Sequence, residues 1–410
     1  MDNGQLPPQP QPSRKARAYY VSGALAIIIL LGGVGFLVLD RRAAAPRGQA
    51  ESATTASSTI GTATTTIIET SAPAPVIAHV PLPDEVRGIY WTAWTAGSKR
   101  ADILLAYASS SHLNTIVIDL KLDGGELAFV PRDPVLSELV PKDPAVKDLD
   151  ALLARLKNQN IYRIARIAVM RDRAFGELHP EVALRYAGGG VWRDKTGMQW
   201  LDPAAPEVGD YALALAHEAY ARGFDEIQFD YVRFASDGAL TAIRYPVYDG
   251  KLTKSEVMRK FFERVGGTLQ AEKIPVSFDL FGLTCCAVDD LGIGQRLSDV
   301  IPFSDYVSQM AYPSHYAHGF EGLANPALYP YEVVKKTLDR NIATLHTSSS
   351  TAEIVAIRQK SRPWIQDFNI GAIYDASKVQ AQIKAVRDSG ASGWMIWNAA
   401  NRYTTVKYAK

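Results

Sequence analysis

From about residue 86 onwards the chain alternates between two textures. Short runs rich in β-branched and aromatic residues lie at 88–94, 115–121, 162–170, 226–234, 275–282, 305–312, 362–368 and 393–398. Between them run amphipathic stretches of helical spacing at 100–109, 146–158, 206–222, 254–272, 331–346 and 377–389, with only a short helix candidate at 293–300. Eight strands alternating with helices predict an α/β domain closed as a parallel (β/α)8 TIM barrel. An open doubly wound sheet would carry a glycine-rich turn after its first strand, and Trp91-Thr92-Ala93-Trp94 is not one.

The first 83 residues follow a different pattern. Residues 1–18 form a short polar tail rich in Pro and Gln that ends in Arg14, Lys15 and Arg17. Residues 19–39 run predominantly apolar, and about 20 such residues span a bilayer as a helix. This predicts one N-terminal transmembrane signal anchor in the lipid bilayer. Ala43 to Ala45 would also suit a cleavage site. Residues 40–83, rich in Ala, Ser, Thr and Pro, bury too little apolar surface to fold and predict a flexible, disordered linker. The basic tail favours a cytoplasmic N-terminus, whereas Arg41 and Arg42 oppose it. The short tail and long linker decide for a single-pass, membrane-anchored protein whose domain, 84–410, is extracytoplasmic.

Composition narrows the chemistry. A net charge of +1 gives no field for nucleic acid. The two cysteines, Cys285 and Cys286, are neighbours in a spacing that neither ligates zinc nor forms a disulfide scaffold, and neighbouring cysteines are expected to stay unbridged. Gly-x-Ser-x-Gly, P-loop and His-Glu-x-x-His patterns are all missing, so no metal or organic cofactor is implied.

In such a barrel, polar residues at the C-terminal ends of the strands are the candidates for chemistry. Asp230 is the sharpest: it ends an apolar strand, where an unpaired charge is costly. Period-two alternation puts Gln228 and Asp230 on one face. Asp279 and Asp367 end strands five and seven in the same way. Glycoside hydrolysis needs two carboxylates about one bond, one protonated and one ionised. Neighbouring strands would bring Asp230 and Asp279 close enough for repulsion to raise one pKa. A structural ion pair of Asp230 with Arg166 is the competing reading, and Asp119 with Lys121 forms a similar candidate pair. Arg166, Arg233, Asp119 and Asn398 would contact substrate, and Glu226, at the start of its strand, belongs at the barrel base or outside the barrel. Sugar rings stack on aromatic faces, for which Trp91, Trp397 and Tyr312 are candidates, with His315 just past strand six.

The chain also resembles a known bacterial family of glycoside hydrolase domains, TIM barrels remotely similar to the alpha-amylase clan. The resemblance covers about residues 84–404. It is carried by Val86-Arg87-Gly88-Ile89-Tyr90, Trp200-Leu201-Asp202-Pro203, Tyr312-Pro313-Ser314-His315-Tyr316 and Gly393-Trp394-Met395-Ile396-Trp397-Asn398. Most specific is the run from Gly223 to Phe234 that contains Asp230. Similarity to the amylase clan implies Asp230 as nucleophile. That clan places a glutamate acid on strand five, where this chain has Asp279.

The expectation is hydrolysis of a glycosidic bond in an envelope or extracellular polysaccharide by Asp230 with Asp279 or Asp367. The rival is a barrel that binds glycan or peptidoglycan at the cell surface without cleaving it.

Overall fold

Parallel barrel strands are covered by helices on one face and by lumen side chains on the other, so they are apolar on both. In the computed structural model, which describes residues 78–287, 289–345, 350–406 and 408, eight parallel strands close in sequence order. They are β1 (Val86–Trp91), β2 (Thr115–Asp119), β3 (Tyr162–Ala168), β4 (Glu226–Asp230), β5 (Val276–Phe281), β6 (Tyr306–Met310), β7 (Trp364–Gln366) and β8 (Gly393–Trp397). Pairing of Val86 with Gly393 closes the ring. β1 ends earlier than the pattern predicts, which moves Trp94 off the strand and onto the short helix Ala93–Ala96.

The outer layer comprises α1 (Arg100–Ser110), α2 (Leu149–Asn158), α3 (Pro206–Arg222), α4 (Lys254–Ala271), α5 (Leu297–Val300), α6 (Pro330–Leu345), α7 (Thr351–Gln359) and α8 (Ala376–Asp388). Their ends are written in the sequence. α4 starts at the reciprocal capping box of Thr253 and Glu256. α3 begins at Pro206 and stops at Gly223, whose φ of 109° suits only glycine well. α7 is not among the predicted helices, and none of its residues is fully buried.

The main core lies between strands and helices and includes Ile89, Trp91, Phe229, Phe278, Ile365 and Trp394. A smaller one fills the lumen with Val86, Tyr90, Val117, Ile164, Trp364 and Met395. Alternate residues of each strand therefore divide between the two, which fixes what can reach the active face. At the barrel base Glu226 accepts from Arg362 Nη2 (2.5 Å), Ser277 Oγ (2.6 Å) and Tyr162 Oη (3.1 Å). Both Glu226 and Arg362 are fully buried, so this pair is structural, as expected for Glu226. The chain enters at the same end, where Val80 N donates to Asp225 Oδ1 (2.7 Å) and His79 stacks on Tyr220.

The cysteines depart from expectation: Cys285 and Cys286 are joined in a disulfide. A 3-10 turn, Gly282–Cys285, follows β5 directly and brings the two sulfurs together. Among the described residues no helix is long and apolar enough to cross a membrane. The anchor expected at 19–39 lies outside the described residues, as does the linker up to residue 77.

Candidate active site

The site is assembled by strand register. Asp119 pairs with Arg166, and Ala168 with Asp230. Phe229 pairs with Phe278, which sets Asp230 beside Asp279, one strand spacing (about 4.8 Å) away at the backbone. All four side chains take the lumen parity and lie at the C-terminal mouth. Arg166 Nη1 donates to Asp119 Oδ1 (2.5 Å), and Nη2 donates to Asp230 Oδ2. Arg166 Nε lies 3.8 Å from Asp279 Oδ2. One guanidinium thus gathers carboxylates from three strands.

Each carboxylate has a further partner. Tyr90 Oη donates to Asp119 Oδ2. Trp364 Nε1 donates to Asp279 Oδ1 (2.8 Å). Asp230 Oδ1 accepts from the amide of Tyr231 (2.6 Å), the next residue, whose backbone is left-handed (φ 54°). A non-glycine residue at positive φ is strained; here it turns the amide onto the carboxylate.

Burial raises the pKa of Asp279 well above the usual carboxylate range. The Asp230 charge adds to this, and Arg166 opposes it. Asp279 is only 1% exposed, so its surroundings favour the neutral form. Asp119 is raised more modestly by burial, with Arg166 and Tyr90 opposing. Arg166 stays charged despite its burial, because Asp119, Asp230 and Asp279 surround it.

The other expected site residues divide. Trp397 lies at the mouth, stacked on Tyr90 at 4.1 Å, with the Arg166 guanidinium 5.2 Å from its ring centre. Tyr312 belongs to the lumen cluster and is in edge contact with His315 and Phe368. His315 shares a 3.0 Å hydrogen bond with Ser314 through Nδ1, and burial lowers its pKa to about 4, so it is neutral. Arg233 is buried against the rings of Phe281, Trp200 and Tyr231, at 4.7, 4.8 and 5.2 Å.

Three expected site residues are placed elsewhere. Trp91 has the opposite parity to Tyr90 and is fully buried between the sheet and the helices. Asp367 shares the outward parity of Ile365, and its oxygens accept from the amide and hydroxyl of Thr404 (both 2.7 Å). It therefore stands apart from the Arg166 cluster. Asn398 braces the loop after β8, donating to the carbonyls of Asp367 and Arg402. Lys121 does not meet Asp119: it pairs with the buried Asp172 and donates to Ala168 O (2.6 Å).

Sequence reasoning missed Tyr90, Tyr231 and Trp364. Tyr90 and Trp91 are adjacent aromatic residues on β1, and Trp364 is followed by Ile365 on β7, so alternation did not tell Tyr90 from Trp91, nor mark Trp364 as lumen-facing. Among the described residues no group of three or more His, Cys, Asp or Glu is placed to hold a metal ion. At the mouth the Arg166 guanidinium occupies the centre of the carboxylate cluster.

Among solved structures, the chain matches the PgaB (BpsB) glycoside hydrolase domain from Bordetella bronchiseptica. The two are 14% identical over 77% of this chain and 94% of that one, with a TM-score of 0.53. A hypothetical protein from Ruminiclostridium thermocellum is 28% identical over 50% of this chain and 98% of its own, with a TM-score of 0.41. The glycoside hydrolase domain of PelA from Pseudomonas aeruginosa is 13% identical over 77% and 96%, with a TM-score of 0.43. No curated protein matches the chain. Residues 88–403 match the family model described as "Putative glycosyl hydrolase domain", and the chain belongs to that family.

Proposed function

We propose that the barrel hydrolyses a glycosidic bond of an extracytoplasmic polysaccharide, with Asp230 as the ionised carboxylate and Asp279 as the proton-holding acid. The observation that carries this is the sharing of Arg166 by Asp119, Asp230 and Asp279. Asp230 and Asp279 both lie within 4 Å of one guanidinium on adjacent strands, and glycoside hydrolysis uses a pair of carboxyl groups set about one bond. A binding module has no need for that convergence, nor for one acid kept protonated beside another carboxylate. Arg166 pairs directly with Asp230, while burial and the charge of Asp230 favour the protonated form of Asp279. The stacked Tyr90 and Trp397 offer an apolar face for a sugar ring beside these groups. The family assignment supports the same reaction class. The anchor at 19–39 would hold the domain outside the membrane, with the described chain starting at the barrel base, where Val80 bonds Asp225.

The test is to incubate the full-length protein and its Asp230→Asn variant with a panel of polysaccharides and purified peptidoglycan, and to count new reducing ends. Release by the wild type alone supports the assignment. Retention of one polymer with no release from any would replace it with the binding-module reading.

A further inference from the structure

Arg233 is a charge in an unusual position. It is 7% exposed, three residues past Asp230, and among the described residues no carboxylate lies within ion-pair distance of it. Its hydrogen bonds use Nη1 alone, to Ser236 Oγ (2.7 Å) and to Phe234 O (3.3 Å). Nε and Nη2 make no hydrogen bond, yet neither is among the sealed polar atoms that lack a partner. These donors therefore reach accessible surface. Burial pulls the Arg233 pKa below the usual arginine value, against the attraction of Tyr231, Asp230 and Asp237, and Arg171 adds a smaller repulsion. Arg171 also lies against Tyr231, 5.4 Å from its ring centre, and among the described residues its one paired carboxylate is Asp194 (3.0 Å).

A buried guanidinium without a counter-ion is costly, and removing such a charge is often neutral or stabilising. The rings of Trp200, Tyr231 and Phe281 offset part of that cost, but rings leave the outward donors unused. The mouth thus has a carboxylate wall on the Arg166 side and, past Tyr231, a guanidinium wall with free donors. The planar donor set of arginine matches a carboxylate or phosphate in two-point contact.

We propose that Arg233, supported by Arg171, binds an anionic substituent, a carboxylate or a phosphate, on the sugar next to the bond held at Asp230. This rests on the reading of the mouth as a glycan site, and it makes the substrate an acidic polysaccharide. The ligand brings the counter-ion that the fold leaves out.

The test measures binding by calorimetry to the full-length protein carrying Asp279→Asn, so that turnover does not consume the probes. The probes are a uronic acid trimer, a neutral hexose trimer of the same length and a hexose 6-phosphate beside its free hexose. The acidic member of at least one pair is expected to bind roughly tenfold to a hundredfold more tightly, and the pair that shows it identifies the anion. Arg233→Met, which suits the aromatic surroundings, is expected to bring that ratio to about one while the melting temperature holds or rises. Equal binding of acidic and neutral members by the parent protein overturns the inference, as does an unchanged ratio in Arg233→Met with a lowered melting temperature, the mark of a purely structural arginine. Acidic preference with no turnover by the wild type on any polymer would leave the inference standing and remove the hydrolase reading. Turnover of neutral glycans without acidic preference would do the reverse.

Discussion

Arg166 donates to Asp119 through one terminal nitrogen and to Asp230 through the other, so a single buried cation holds two strand ends in register. Asp279 faces the same guanidinium from a third strand. Replacing Arg166 with Ala leaves three carboxylates confined together with no cation between them. Breaking a buried pair in this way costs about 3–5 kcal/mol. Urea denaturation at neutral pH should show that loss, and it should shrink at acid pH as the carboxylates take up protons. Equal stability of wild type and Arg166→Ala at pH 7 would mean that the cluster is more solvated than its burial indicates.

Asp230→Asn keeps the shape of the side chain and leaves Arg166 paired with Asp119. The fold should therefore survive, with a melting temperature within a few degrees of wild type. Turnover should fall on the order of 10⁴-fold, as for loss of a group that acts in the chemical step. Reducing-end release by a folded Asp230→Asn at the wild-type rate would remove Asp230 from the mechanism.

Asp279 makes a prediction of opposite sign for stability. Its folded pKa is raised, so the native state binds the proton more tightly than the unfolded chain does. Its contribution is fully present below the unfolded carboxylate value, about 4, and is lost as pH rises towards the raised folded value. Asp279→Asn keeps an oxygen for Trp364 Nε1 and removes the titration. The variant should be more stable than wild type at pH 7, with the difference closing towards pH 4, and it should lose turnover. Thermal melts across that range check the sign; a variant less stable than wild type at pH 7 would show that Asp279 is ionised in the fold.

The barrel was legible because its eight apolar runs and most of its helices carry their own periods and caps, as at Thr253 and Gly223. Asp230 and Asp279 were legible for a related reason, a charge at the end of an apolar strand. What the sequence did not reveal is parity. Trp91 and Tyr90 are both apolar neighbours on a strand buried on both faces, and only the register with β8 and β2 shows which one enters the lumen. Asp367 was misleading in the same way: it sits one residue past Gln366, and that single step turns its carboxylate out of the lumen. The disulfide between Cys285 and Cys286 depends on a turn that begins where β5 stops, and no periodicity encodes it.

The two tryptophans make the parity argument testable. Trp91 is sealed in the outer core, so Trp91→Ala should cost about 3–5 kcal/mol of stability. Trp397 is partly exposed over Arg166, so Trp397→Ala should weaken glycan binding with a smaller stability loss. Denaturation and pull-down of the two variants side by side would show the two effects separating, and equal effects on both measurements would contradict the assignment.

Thr404 decides the role of Asp367. If the Asp367 carboxylate fastens the C-terminal segment, then the hydroxyl of Thr404 is half of that fastening and its amide the other half. The same segment reaches β1, where Tyr403 Oη donates to the carbonyl of Tyr90, the residue that bonds Asp119. Thr404→Val removes the hydroxyl bond, preserves shape and leaves the amide bond in place. It should cost about 1 kcal/mol of stability, the worth of one such hydrogen bond, and should leave the pH profile of turnover unchanged. Asp367→Asn should behave alike, with a stability loss and a turnover reduced far less than in Asp230→Asn. A loss of turnover in folded Asp367→Asn as deep as that of Asp230→Asn would return Asp367 to the chemistry, since fastening alone has no reason to reach the reaction so strongly.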